Sequence, residues 1–148
     1  MASTYLSLHY HLVFSTKNRA ALIAPEWRLR LHDYLGGTIR GLGGFPEGVG
    51  SVAHHVHVLA SLKATHSLAD VVRELKKATS VWVHEEVGLK AFAWQDGYAA
   101  FTVSATAKPA VRRYIANQEE HHRVRSFREE LLEMPNKAGV DFNPKYLD

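Results

Sequence analysis

Hydropathy changes period along this chain in a fixed order, and that order restricts the fold more than any single motif does. Residues Tyr5 to Phe14 alternate, with Leu6, Leu8, Tyr10, Leu12 and Phe14 on one face, which predicts a β-strand. The polar run Ser15 to Arg19 ends it. Pro25 suits a first helical turn, and Trp27, Leu31, Tyr34, Leu35, Ile39 and Leu42 then recur at helical spacing until Gly43 and Gly44. A weak strand is expected around Phe45 to Val52, interrupted by Pro46, Gly48 and Gly50. A firm strand follows over Ala53 to Leu62, where Val56, Val58 and Ala60 alternate with His55, His57 and Leu59. Ser67 and Asp70 open a second helix whose apolar stripe is Leu68, Val71, Val72, Leu75, Ala78 and Trp82, with Gly88 at its end. Gly97 to Val103 predicts a last strand, and a third helix is expected from about Lys108 towards Met134, where Pro135 stops it.

This order matches two split βαβ units. The expected fold is α+β: a ferredoxin-like (RRM-like) antiparallel sheet with helices on one face, plus an extra C-terminal helix. The 148 residues read as one domain, with a core of about 5–134 and a polar tail over 135–148. In such a sheet the first and third strands are neighbours. Parity then puts His9, His11, His55 and His57 on the face away from the helices, where a one-residue slip would reverse them.

Composition removes several classes. With no cysteine, a disulfide scaffold, a thiolate metal site and a cysteine nucleophile are excluded. No apolar run is long enough to cross a bilayer and the first residues do not resemble a secretory signal, so a cytoplasmic protein is expected. A net charge of +3 permits nucleic acid as a partner without requiring it.

Ten histidines is the unusual count, and placement gives it meaning. His55 and His57 project from one face of a strand, so their imidazoles can share a divalent ion while Val56 packs inward. His9-Tyr10-His11 repeats the pattern, and the ordinary alternative for both is a set of hydrogen-bonded strand histidines. Tyr114 and Gln118 stand at i and i+4 of the last helix, with His121 and His122 at the next turn. Alone, such a tyrosine is a core residue and such a glutamine a solvated one. Together they offer a phenol and an amide oxygen able to ligate a hard ion. Lys17, Arg19, Arg73, Lys76, Lys77, Arg112, Arg113, Arg123, Arg125 and Arg128 form candidate phosphate-tracking surfaces, or solvated faces balanced by Glu119, Glu120, Glu129 and Glu130. Trp94, Tyr98 and Phe101 are candidates either for stacking on bases or for the core.

Taken in order, Tyr10 to Lys17, His55-Val56-His57, Trp94-Gln95-Asp96-Gly97-Tyr98 and Tyr114-Ile115-Ala116-Asn117-Gln118 resemble the single-tyrosine HUH transposases of the insertion-sequence-200/605 type. That group includes the REP-associated tyrosine transposases. The resemblance implies a nicking and strand-transfer enzyme acting on single-stranded DNA whose ends carry hairpins. It implies a 5′-phosphotyrosine intermediate with Tyr114 as nucleophile. It also implies a divalent ion, Mg2+ or Mn2+, held by His55, His57 and Gln118, and a homodimer in which the tyrosine acts in its own subunit or across the interface. His9, His11, His54, His121 and His122 are then candidates to orient the ligands. Two departures stand out: His54 occupies a position where the family often has an acidic or amide residue, and His121 and His122 compete with Gln118 as third ligand.

The elementary chemistry agrees. A phenol of pKa near 10 is mostly neutral at pH 7, and nearby positive charge favours its phenolate. A phosphotyrosine retains the energy of the broken phosphodiester, so no ATP is needed. Consistently, Gly41-Leu42-Gly43-Gly44 matches no nucleotide-binding loop. Two other readings compete: a domesticated hairpin DNA- or RNA-binding protein without strand transfer, and a histidine metalloenzyme acting on a small molecule. The second lacks an evident carboxylate base beside the histidines.

Overall fold

Pairing, rather than hydropathy alone, sets the strand limits. The structure, a computed structural model, describes residues 3–120 and Glu129. The expectations for His121, His122, Arg123, Arg125 and Arg128, for the last helix beyond residue 120, and for the tail lie outside those residues; within them the expected helix from Lys108 is interrupted at Asn117, whose φ of -102° and ψ of 26° are not helical. Strand β1 covers His9–Ser15, not Tyr5 onwards. The reason is a lack of partners: His9 lies opposite both Ser61 and Val103, the last residues of the two flanking strands. Tyr5 and Leu6 are left exposed.

Helix α1 spans Pro25–Gly41 and closes through Gly43, whose φ of 91° is open to glycine at little cost. Strand β2, Phe45–Ser51, is more regular than its glycines and proline suggest. It is an edge strand, where Pro46 costs no essential ladder bond. Its pairing with β3 (His55–Ser61) passes from Pro46↔Ala60 to Gly48↔Leu59, so Glu47 occupies a bulge. Helix α2 covers Leu68–Trp82, with the Ser67 hydroxyl accepting from the Asp70 amide as expected. Strand β4 is Ala99–Val103, and helix α3 is Lys108–Ala116 with Pro109 in its first turn.

The four strands run β2-β3-β1-β4 with every neighbour antiparallel, the order of a ferredoxin-like sheet. One face carries the main core: Leu12, Phe14, Val56, Val58 and Ala60 pack against Leu31, Leu35 and Ile39 of α1 and Val71, Val72 and Leu75 of α2. Removing that apolar surface from water is the chief stabilising term. On the other face a small cluster of Leu59, Val103 and Ile115 seats α3, with Val111 and Tyr114 against it. Among the described residues no helix is long and apolar enough to cross a membrane.

Candidate active site

Because β1 and β3 pair with Val13 opposite His57 and Ser15 opposite His55, the strand histidines share the face opposite α1 and α2, as parity predicts. His55 and His57 are fully buried and His11 nearly so. The rings of His55 and His57 lie 5.0 Å apart. Each has a neighbour that fixes its orientation. Nδ1 of His57 meets Nε2 of His11 at 2.7 Å, and Nδ1 of His55 meets Nδ1 of His54 at 3.0 Å. One nitrogen of each pair must donate and the other accept, so each contact couples two tautomers.

Helix α3 completes the site from above. The Tyr114 ring stands edge-on to His57 at 5.6 Å and to His11 at 6.1 Å. Just past the end of α3, after the turn at Asn117, the amide oxygen of Gln118, which is buried, lies 3.2 Å from Nε2 of His55. Two imidazoles from strand β3, a phenol from α3 and an amide oxygen from just beyond that helix thus meet in a single chain. Among the described residues no cluster of three or more His, Cys, Asp or Glu is arranged to hold a metal ion. The set of two imidazoles and one amide oxygen is of another kind. Its two imidazole nitrogens and one amide oxygen are donor types that a divalent ion accepts.

The close seating of α3 depends on residues that periodicity does not single out. At Gly50, directly opposite His57, an added Cβ would lie 2.1 Å from the Ile115 carbonyl oxygen. Lys108 donates to Glu47 at 2.8 Å, and His9 contacts the other oxygen of the same carboxylate at 3.1 Å and the Ser61 hydroxyl at 2.8 Å. Burial favours the neutral Glu47 acid. The hydrogen bond and charge of Lys108, with His9 and Ser61, outweigh burial and hold the carboxyl below its usual range. A lowered folded-state value makes the ionised group stabilising above the ordinary carboxylate pKa, and the gain is lost as pH falls through the lower value. Melting curves should therefore show parent and Glu47→Gln furthest apart at neutral pH and converging below about pH 4.

Beyond Gln118, Arg28 donates to Glu119 at 2.7 Å and to the Ile23 carbonyl at 2.8 Å, linking α1 to the segment that follows α3. The Nε2 of His32 lies 2.6 Å from the Ser51 hydroxyl, and burial together with the Arg28 charge lowers the pKa of this imidazole. A polar residue within a strand rich in glycine and proline was the available sign for Glu47. A glycine facing a histidine was the sign for Gly50.

The basic residues do not form one surface. Arg112 and Arg113 are exposed on α3, on the site face. Arg73 and Lys77 are exposed on α2, across the sheet, and Arg73 is paired with Asp70 at 3.0 Å. Lys76 donates to the carbonyls of Gln95 and Gly97, tying down the turn before β4, and burial lowers its pKa. Lys17 is exposed and Arg19 half-buried in the turn after β1, where Asn18 and Arg19 are left-handed. Of the aromatic candidates, Trp94 is core, packed on Phe14 and Phe92 with its indole bonded to Thr79. Phe101 lies on the site face, 6.2 Å from His11, and Tyr98 is exposed.

Solved structures share this fold. A Deinococcus radiodurans R1 protein assigned to the transposases superposes with a TM-score of 0.62 at 24% identity, covering 80% of this chain and 96% of its own. A REP-associated tyrosine transposase, solved bound to a REP hairpin, does so at 0.59 and 16% identity, covering 82% and 74%. At such identities the likeness speaks for the fold alone. No curated protein matches the chain significantly. The family description "Transposase IS200 like" matches residues 4–118, nearly the whole described region and every strand and helix that builds the site, so this chain belongs to the IS200-like transposases.

Proposed function

We propose that the protein is a single-stranded DNA transposase that cuts and rejoins DNA through Tyr114, at ends bearing hairpins. The observation that carries this reading is the position of the Tyr114 ring 5.6 Å from His57, in a family member whose His55 also faces Gln118. The hairpin held by the REP-associated neighbour supports the substrate class.

In the proposed reaction the Tyr114 oxygen attacks the scissile phosphorus and passes its proton to solvent water. The new bond is tyrosyl O–P. The bond that breaks is P–O3′, and the departing oxygen takes a proton to become a free 3′ hydroxyl. In the reverse sense, an incoming 3′ hydroxyl attacks the phosphotyrosine and releases the phenol. A divalent ion bound by His55, His57 and Gln118 would neutralise phosphate charge and polarise the P–O bond. The chain supplies the rest. His11 and His54 hold the two imidazoles in orientation, and α3 holds the phenol beside them. Exposed Arg112 and Arg113 on the same helix favour an approaching phosphate backbone. Such chemistry belongs in the cytoplasm, where the DNA is, and a homodimer is the proposed assembly.

A labelled single-stranded hairpin incubated with the protein and Mn2+, then denatured, should yield protein-linked label. EDTA should abolish the adduct and added Mn2+ or Mg2+ restore it. His57→Ala should lower the rate by at least about a hundredfold, because one ligand and the His11 contact are lost together. Tight hairpin binding without any adduct, with or without metal, would favour the domesticated binding protein instead.

A further inference from the structure

We infer that Glu47 is a positioning residue for strand transfer: its buried carboxylate sets the seat of α3, and with it Tyr114, over the histidine pair of the same chain. The inference rests on the proposed role of Tyr114 and extends it to a residue remote from the phosphate. Four observations lead to it.

Glu47 occupies the bulge of β2, between Pro46↔Ala60 and Gly48↔Leu59. Bulges re-aim a side chain out of the regular alternation. Here the carboxylate reaches the α3 face of the sheet, where it is 7% exposed. It is bonded at both oxygens: to Lys108, the first residue of α3, and to His9 of β1, which in turn meets Ser61 of β3. One side chain therefore ties three strands to the start of the helix that carries Tyr114.

The helix needs such a tie. At nine residues it is too short to be stable alone. Its first turn has no acidic residue and no side-chain cap, and it begins with a lysine, a charge of the wrong sign for a helix N-terminus. Glu47 supplies the missing negative charge to both the lysine and the helix end. Lys108 and Tyr114 are six positions apart, about 9 Å along the axis, so a shift at the first is carried to the second. Misplacement by about 1 Å can cost a hundredfold in rate.

The full chain is tested as parent, Glu47→Gln, Lys108→Met, the double variant and Tyr114→Phe. Each is measured for hairpin affinity, single-turnover adduct rate with Mn2+, and amide exchange. Glu47→Gln and Lys108→Met should each lower the adduct rate about ten- to a hundredfold with affinity within about twofold, and the double variant should lose no more than either. Exchange across 109–116 should rise about tenfold while β3 amides stay protected. Loss in proportion to general unfolding, with β3 equally exposed, would overturn the inference, as would an unchanged rate or unchanged α3 exchange. Should Glu47→Gln fail to fold, Lys108→Met carries the same test from the solvent side of the pair. An adduct persisting in Tyr114→Phe would instead remove the role of Tyr114 itself, an outcome distinct from a parent-like Glu47→Gln beside an inactive Tyr114→Phe.

Discussion

Tyr114→Phe is expected to hold hairpin DNA as the parent does and to form no covalent adduct, with nicking reduced at least about a thousandfold. The substitution removes one oxygen and leaves the ring. That ring packs with the Leu59, Val103 and Ile115 cluster and edge-on to His57 and His11, contacts that phenylalanine keeps. Helix α3 should therefore remain seated, and Gln118 should remain beside His55. Stability and affinity are thus separated from chemistry, which is the value of this variant over a larger truncation. A denaturing gel of labelled hairpin decides the matter. Undiminished adduct in Tyr114→Phe would mean that another nucleophile acts.

Much of this arrangement is legible in the sequence because it follows from two periodicities. The two-residue period placed His9, His11, His55 and His57 on one face, and the pairing of β1 with β3 made them neighbours, with Val13 across from His57. The helical period placed Tyr114 and Gln118 one turn apart on a single helix, whereas α3 stops at Ala116 and Gln118 follows the turn at Asn117, its amide still donating to the Tyr114 carbonyl. What periodicity does not encode is the distance between layers. Leu6 fits the alternation of β1 and yet lies outside it, since no strand extends far enough to pair there. Glu47 breaks the alternation, and only the register of two strands reveals that it is a bulge. Lys76 looks like a solvated helix cation until its carbonyl partners across the turn at 95–97 are seen. The basic residues fail as a single surface for the same reason: α2 and α3 lie on opposite faces, a fact of topology rather than of charge.

Gly50→Ala is the second large effect expected, and it follows from distance between layers. Gly50 pairs with His57 on the strand beneath α3. Its backbone is not left-handed, so alanine would bring no φ penalty there. The added methyl would instead lie 2.1 Å from the carbonyl oxygen of Ile115 and 2.9 Å from its carbonyl carbon and Cγ2. Two of those three atoms are backbone, so no rotamer change relieves the clash, and the helix must lift or slide. Overpacking of this kind costs about 1–3 kcal/mol. Ile115 adjoins Tyr114, so the displacement falls on the phenol. The α1–α2 core on the other face is untouched. The expected result is a folded chain, a few degrees less stable, whose adduct rate is down about a hundredfold. Gly37→Ala on α1 is the matched control: nothing lies within 4 Å of its added Cβ, and the helix should gain about 0.5–1 kcal/mol with the adduct rate unchanged. Parent-like strand transfer by Gly50→Ala would show that α3 does not rest on β2 when the phosphate is attacked, and the geometry assigned to Tyr114 would have to be abandoned.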